Sequence, residues 1–194
     1  MNHSEFYGGS FESLLKTQSI LEEIAGRMKA EDAEGDLQPI VYYCSRIKSP
    51  ESMLKKLKAR GFPESLDSAL QNAFDAVGIR LICSFASDVF SVVEKLESHP
   101  AIEIVEKKDY LTHPKPNGYR SIHLLVRLPE TGQHAEIQVR TIAMDFWATL
   151  EHQMKYKKST ANNALIQSEL KRCADEIAST DLSMQTIREI LKDI

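Results

Sequence analysis

Apolar side chains along this chain recur with two periods, which divide it into helices and strands. From residue 10 to 29 the spacing is helical: Phe11, Leu14, Leu15, Leu21, Ala25 and Met28 fall near one face, and "EDAEGD" then breaks the pattern. Ser49-Pro50, an N-cap followed by a first-turn proline, predicts a second helix running to Gly61. "VGIRLICSF" is apolar and β-branched enough to be a strand, and "SDVFSVVEKLES" is a helix entered through Ser87 or Asp88. "AIEIVEKK", "YRSIHLLVRL" and "HAEIQVRT" are three more strands, the last two joined by the hairpin-like turn "PETGQ". "AMDFWATLEHQMKY" is helical, with Ala143, Phe146, Trp147, Leu150 and Met154 as its packing stripe and Asp145, Thr149, His152 and Tyr156 on another. A final helix is predicted over residues 163–193, with a break expected near Ser179-Thr180. This order predicts an α+β layer fold with a mixed sheet and helices mainly on one face.

Alternation within the strands sorts their side chains. Ile122, Leu124, Val126 and Leu128 share a core face, with Tyr119, Ser121 and His123 opposite. Ile137 and Val139 point to the core, while Glu136, Gln138 and Arg140 share the other side; Val77, Ile79, Leu81 and Cys83 alternate with Arg80. A sheet with one apolar face and one bearing Arg, Glu, Gln, His and Tyr is either a ligand platform or an ordinary open antiparallel face.

Charge sharpens the picture. The net charge is −4, yet "SRIKSPESMLKKLKAR" carries Arg46, Lys48, Lys55, Lys56, Lys58 and Arg60 against Glu51 alone. "KDYLTHPKPNGYRSIH" is also basic, and its prolines and Asn-Gly leave it little helical freedom. Two basic segments in an acidic chain point to a localised anion site and not to a broad nucleic-acid surface. No stretch reaches the roughly 18 apolar residues of a membrane span. The start "MNHSEFYGGS" lacks the basic and apolar regions of a signal peptide, so a cytoplasmic location is expected. Cys44, Cys83 and Cys173 are scattered without a C-x-x-C pair and are expected to be small buried hydrophobes.

Phosphate chemistry accounts for these residue types together. Arg46, Lys48, Lys56, Arg60 and Arg80 can neutralise a polyphosphate, with arginine adding bidentate geometry. Asp75 and Glu136 can hold Mg²⁺, which takes one or two carboxylates beside phosphate oxygens and water. Strict alternation would put Asp75 on the apolar side, so it must precede its strand or be displaced by a bulge at Gly78. Tyr119 is suited to stack on a base.

The blocks "RIKSPESMLKKL", "DAVGIR", "KDYLTHPKPNGYRSIHLLV" and "EIQVRTIAMDFWATLEHQMKYK" together resemble the synthetase domain of the RelA/SpoT family, from about Val41 to Lys157. The short chain looks like a stand-alone small alarmone synthetase. The resemblance implies a nucleotidyltransferase-like mixed sheet with flanking helices and extra N- and C-terminal helices. It implies pyrophosphate transfer from ATP to the 3′-hydroxyl of GDP or GTP, with Mg²⁺, giving (p)ppGpp and AMP. By motif position, Arg46, Lys48, Lys56, Arg60 and Arg80 fall on the ATP side. Asp75 and Glu136 are the catalytic and metal carboxylates. Lys108, Lys115, Asn117, Tyr119 and His123 fall on the guanine-nucleotide side, with Gln138, Arg140 and His152 beside them. Residues 1–36 are then an N-terminal helical segment, 37–158 the synthetase domain and 159–194 a C-terminal segment for oligomerisation.

Two departures stand out. Ala76-Val77 occupies positions where the family often has Ile-Ala, and Asp145 lies where members often carry Asn, which is expected to weaken GTP relative to GDP or to alter regulation. Ile166, Leu170, Cys173, Ile177, Thr180, Met184, Ile187 and Leu191 recur in heptad fashion, as in a coiled-coil seam or in a helix packed on its own domain. Stand-alone members of the family tend to be homotetramers, which favours the seam. Two alternatives remain at this point: a toxic relative that pyrophosphorylates tRNA or adenine nucleotides, and a non-catalytic single-stranded RNA-binding module. The acidic balance disfavours tRNA, and the pairing of Asp75 with Glu136 disfavours simple RNA binding.

Overall fold

The computed structural model of the protein describes residues 2–31, 38–155 and 163–192. The break expected at "EDAEGD" and the position of Tyr156 lie outside the described residues, apart from Glu31. A five-stranded mixed sheet in the order β1-β2-β5-β4-β3 forms the centre. Its strands are β1 (Ile40–Ile47), β2 (Val77–Cys83), β3 (Glu103–Asp109), β4 (Ile122–Arg127) and β5 (His134–Thr141). β2 and β5 are parallel and the other pairings antiparallel. The helices are α1 (His3–Tyr7), α2 (Phe11–Glu31), α3 (Pro50–Ala59), α4 (Leu66–Ser68), α5 (Ala86–Glu97), α6 (Ile142–Lys155) and α7 (Asn163–Lys192). α4 continues as a π-helical turn, Ala69–Ala73.

The alternation expected of β4 and β5 holds. Ile122, Leu124, Val126, Leu128, Ile137 and Val139 are fully buried, and they meet Leu14, Leu21, Ile24, Ala25 and Met28 of α2 and Val89, Val92, Val93 and Leu96 of α5 in one core. Each such side chain contributes about 1.5–3 kcal/mol relative to exposure. α3 starts as the Ser-Pro pair dictates: Ser49 Oγ accepts the Ser52 N–H, and Pro50 occupies the first turn.

Several expectations need correction. β1 was not expected from the sequence, because it is an edge strand whose inward residues, Tyr43, Ser45 and Ile47, are only half-buried. Leu15 is exposed, and the inward stripe of α2 uses Thr17 and Ile24 instead. Asp88 does not precede α5. It lies inside the first turn, and its carboxylate reaches back to accept the Phe85 N–H at 3.2 Å. Ser121 lies outside β4 and is buried, its hydroxyl donating to the Val139 carbonyl at 3.1 Å. On α6 the inward residues are Met144, Trp147, Ala148 and Glu151, while Phe146, Leu150 and Met154 are exposed. α7 is unbroken at Ser179-Thr180, where Thr180 and Ser183 hydroxyls return to carbonyls one turn back within the helix. The expected seam is divided: Leu170, Cys173 and Ile177 pack with Trp147 of the same chain, and Met184, Ile187 and Leu191 are exposed. Cys44 is exposed, Cys173 is half-buried and only Cys83 is buried.

Candidate active site

The polar face of the sheet is organised by register. Arg46, Gly78 and Glu136 are cross-strand neighbours on β1, β2 and β5, so glycine leaves open space between a cation and a carboxylate. A second row runs Cys44, Arg80, Gln138, His123 and Lys108 across all five strands. Gly78 pairs in regular register and makes no bulge. Asp75 instead precedes β2: Phe74 adopts a left-handed backbone at φ 53°, with its ring 4.6 Å from that of His134, and the chain turns there before the strand begins.

Two cavities open on this face. The smaller, about 170 Å³, is lined by Lys48, Asp75, Gly78 and Glu136 among others. The larger, about 480 Å³, is lined by Lys115, Asn117, Tyr119, Arg140 and His152, with Thr149 and Glu151. Arg46, Arg80 and Gln138 line both and form the partition between them.

Asp75 receives Lys48 and Lys56 on the same oxygen, Oδ2, the Lys56 contact being 2.5 Å. Its Oδ1 is buried with no hydrogen-bond partner. Burial pulls the Lys56 ammonium below its usual range, against the opposing pull of Asp75. An orphaned carboxylate oxygen, with a second carboxylate lining the same cavity, fits a divalent cation. No group of three or more His, Cys, Asp or Glu side chains suited to a metal exists among the described residues. An ion here would therefore complete its shell from phosphate and water. Lys48 is also braced from the N-terminal segment, since Tyr7 Oη donates to its carbonyl at 2.8 Å.

Glu136 is the hub of a polar chain. Gln138 Nε2 donates to Oε2 at 2.8 Å, and His123 Nδ1 lies 3.3 Å from Oε1. The other His123 nitrogen is 2.8 Å from Tyr119 Oη. Burial alone would raise the Glu136 carboxyl, but the contacts from His123 and Gln138 and the charge of Lys56 outweigh it and hold it down at about 2. Tyr119 is mostly buried, which raises its phenol; its ring stands edge-on to His123, and Lys115 Nζ sits 5.0 Å from its centroid and 4.4 Å from that of Tyr110. Asn117 closes the loop, accepting the Tyr119 N–H and donating to Glu151.

Asp145 occupies the partition from below. Its Oδ1 accepts from Arg140 Nε at 3.0 Å and from Arg80 at 3.2 Å, and its Oδ2 accepts from Tyr42 Oη at 2.6 Å. Burial raises this carboxyl, and the hydrogen bond from Tyr42 and the charge of Arg140 more than reverse that. The charge of Asp145 is thus matched in place by two guanidiniums.

Of the fifteen residues given site roles from sequence, thirteen line the cavities or bond directly to those that do. Arg60 and Lys108 do not: Arg60 is exposed at the end of α3, and Lys108 pairs with Glu106 at 2.9 Å. Tyr42 and Glu151 are not singled out by the sequence, and Gly78 only as a possible bulge. Tyr42 and the open space at Gly78 are legible only once β1 is paired with β2, and Glu151 only once α6 is rotated to its observed inward face.

Comparison with known proteins agrees with this geometry. The model for the region found in RelA / SpoT proteins matches residues 45–161. The chain is 41% identical over 157 residues to the GTP pyrophosphokinase YwaC of Bacillus subtilis, covering 78% of this chain and 75% of that protein. It is 32% identical over 185 residues to the GTP pyrophosphokinase YjbM of the same organism, covering 90% and 86%. Among solved structures, the small alarmone synthetase 1 from B. subtilis bound to its product pppGpp superposes with a TM-score of 0.84 at 30% identity, covering 93% of this chain and 95% of the other. The small alarmone synthetase 2 from B. subtilis gives 0.80 at 37% identity, covering 91% and 96%.

Proposed function

The chain belongs to the RelA/SpoT family, and from that premise we infer a (p)ppGpp synthetase that transfers the pyrophosphate of ATP to the 3′-hydroxyl of GDP or GTP. The observation that carries this reading is the paired cavity: a small cleft lined by two carboxylates and Lys48, with Lys56 paired to Asp75 beside it, joined through Arg46, Arg80 and Gln138 to a larger one walled by Tyr119. Two substrates must meet across such a partition, whereas a binding module needs one surface.

The residue roles follow from this arrangement. Lys48, Lys56, Arg46 and Arg80 receive the ATP polyphosphate. Tyr119, with Lys115, Asn117 and His152, receives the guanine nucleotide. Mg²⁺, held by Asp75 and Glu136, would neutralise charge on the pyrophosphate in transit. The 3′-hydroxyl oxygen attacks the β-phosphorus, the bond from that phosphorus to the oxygen bridging it to the α-phosphorus breaks, AMP leaves with that oxygen, and the hydroxyl proton is released to water. The chain's own contribution is positioning and charge neutralisation. A carboxyl held at about 2 is a weak proton acceptor, so Glu136 acts more by its charge, and by orienting His123, than by strong-base chemistry.

A homotetramer fits the apolar residues left uncovered: Ile142, Phe146 and Leu150 on α6, and Met184, Ile187 and Leu191 on α7. A monomer mass by light scattering would exclude it. No helix among the described residues is long and apolar enough to cross a membrane, in keeping with work in the cytoplasm.

The test is direct. Protein incubated with labelled ATP, Mg²⁺ and GDP or GTP should release AMP and form a guanosine carrying a 3′-pyrophosphate. Labelling of tRNA or adenine nucleotides instead would select the toxic relative. Binding of RNA with no product from any acceptor would select the non-catalytic module.

A further inference from the structure

Taking residues 115–119 as the loop that receives the guanine nucleotide, we infer that residues 170–175 of α7 position that loop and make the C-terminal helix a working part of the acceptor site. Three kinds of contact converge on this stretch. The first is backbone approach. Gly118 is left-handed at φ 89°, and a Cβ placed on it would lie 2.5 Å from Ala174 Cβ. No side chain fits between loop and helix, and the loop therefore lies directly on α7.

The second is a guanidinium bridge. Arg120 NH1 donates to the carbonyl of Gly118 at 3.0 Å and to that of Ala174 at 3.3 Å, while NH2 pairs with Asp175 at 3.1 Å. One side chain thus ties a loop carbonyl to a helix carbonyl and a helix carboxylate. The third is an apolar cluster: Leu170 and Ala174 pack with Trp147 and Ala148 of α6, and Tyr119 rests against them. Trp147 Nε1 donates to the Leu170 carbonyl at 2.9 Å.

α7 is in turn fixed to the body farther along. Arg188 meets Asp88 at 2.6 Å and Thr141 donates to Asp181 at 2.7 Å, both contacts buried or nearly so. The loop is thus held by a helix that is itself anchored on α5 and the end of β5. A shift of α7 would move Tyr119 while leaving Asp75 and its lysines in place. That predicts an effect on the acceptor and none on ATP.

The experiment measures initial rates against GDP and against ATP, with emission of Trp147, the only tryptophan, reporting the α7 contact. Ala174→Leu inserts bulk where Gly118 touches the helix. It should raise the GDP KM by about 5- to 100-fold, leave the ATP KM within about twofold, and shift Trp147 emission. Asp175→Ala alters a half-exposed surface side chain and creates no buried cavity, and should raise the GDP KM by about 1.5- to 5-fold. Added to Arg120→Ala it should cost nothing further, because both act through one bridge. A wild type that forms no product overturns the functional reading, and this inference with it. An active wild type overturns the inference alone under either of two results: an unchanged GDP KM in Ala174→Leu despite shifted emission, or additive losses in the double variant.

Discussion

Replacing Asp145 by alanine tests the partition between the two cavities, and the structure sets the size of the effect. The carboxylate holds Arg140, Arg80 and Tyr42. Arg140 is only 2% exposed, so its guanidinium would be left buried without a counter-charge, a loss of about 3–5 kcal/mol. Arg80 is partly open to solvent and adds about 0.2–1 kcal/mol, and the exposed Tyr42 hydroxyl about 0.5–1.5 kcal/mol. The first contribution dominates, and urea unfolding of Asp145→Ala should show a deficit of that order. Asp145→Ala combined with Arg140→Met should regain most of it, since removing both members of a buried pair leaves no orphaned charge. The pH dependence has a fixed sign. A carboxyl depressed in the folded state stabilises above its unfolded value of about 3.9, and that contribution disappears as pH falls through the folded value. The gap between wild type and Asp145→Ala should therefore be full at neutral pH and close in acid. A single variant within about 1 kcal/mol of wild type at pH 7, where surface changes usually fall, would mean that Arg140 is held by something else.

Two further outcomes follow from the same face. Tyr119→Ala should weaken the acceptor by about 1–3 kcal/mol of stacking while sparing the ATP KM, and Tyr119→Phe, which keeps the ring and loses the hydroxyl contacts, that with His123 among them, should do far less; equal effects of Tyr119→Ala on both substrates would reduce the ring to a loop support. Glu136→Gln should fold and bind guanine nucleotide without Mg²⁺ but lose turnover by about 10²–10³-fold, as expected when a charge worth several kcal/mol at the metal and phosphate is removed, measured as AMP release. Because the Glu136 carboxyl is depressed to about 2, wild-type stability relative to Glu136→Gln should fall as pH drops from about 4.3 toward that value; a pH-independent difference would refute the assigned ionisation.

How far the chain could be read in advance depends on what each segment packs against. β4 and β5 are legible because one face of each is fully buried, so that burial alternates along β4 and along β5 as far as Val139. β1 is not, since its inner position Ser45 bonds to Gln18 and Glu22 of α2 instead of entering the core, and the polar residue breaks the pattern. The α6 stripe is misread for a related reason. Its inward face serves the sheet on one side and α7 on the other, so Glu151 is buried while Phe146 is exposed. The residue types of the site are visible in sequence, and most of its members are brought together. Their convergence is not visible, because it depends on the pairing of β1 with β2. The left-handed turn at Phe74 is equally hidden, and it resolves the difficulty of Asp75 by ending the alternation before that residue.

The same register ties the site to the core. In β5 the alternation that buries Ala135, Ile137 and Val139 presents Glu136, Gln138 and Arg140 on the opposite face, and in β2 it presents Gly78 and Arg80 between Val77, Ile79 and Leu81. A slip of one residue between β2 and β5 would send Glu136 into the core and Ile137 into the cleft. Burying an unpaired carboxylate costs several kcal/mol, so the slipped sheet is strongly disfavoured. The apolar face that drives folding therefore also specifies which cation meets which carboxylate across Gly78. Substitutions on the polar face can abolish chemistry while the apolar core that drives folding stays intact, as expected for Glu136→Gln. Asp145 is the exception, because Arg140 is carried on the polar face and yet buried by α6.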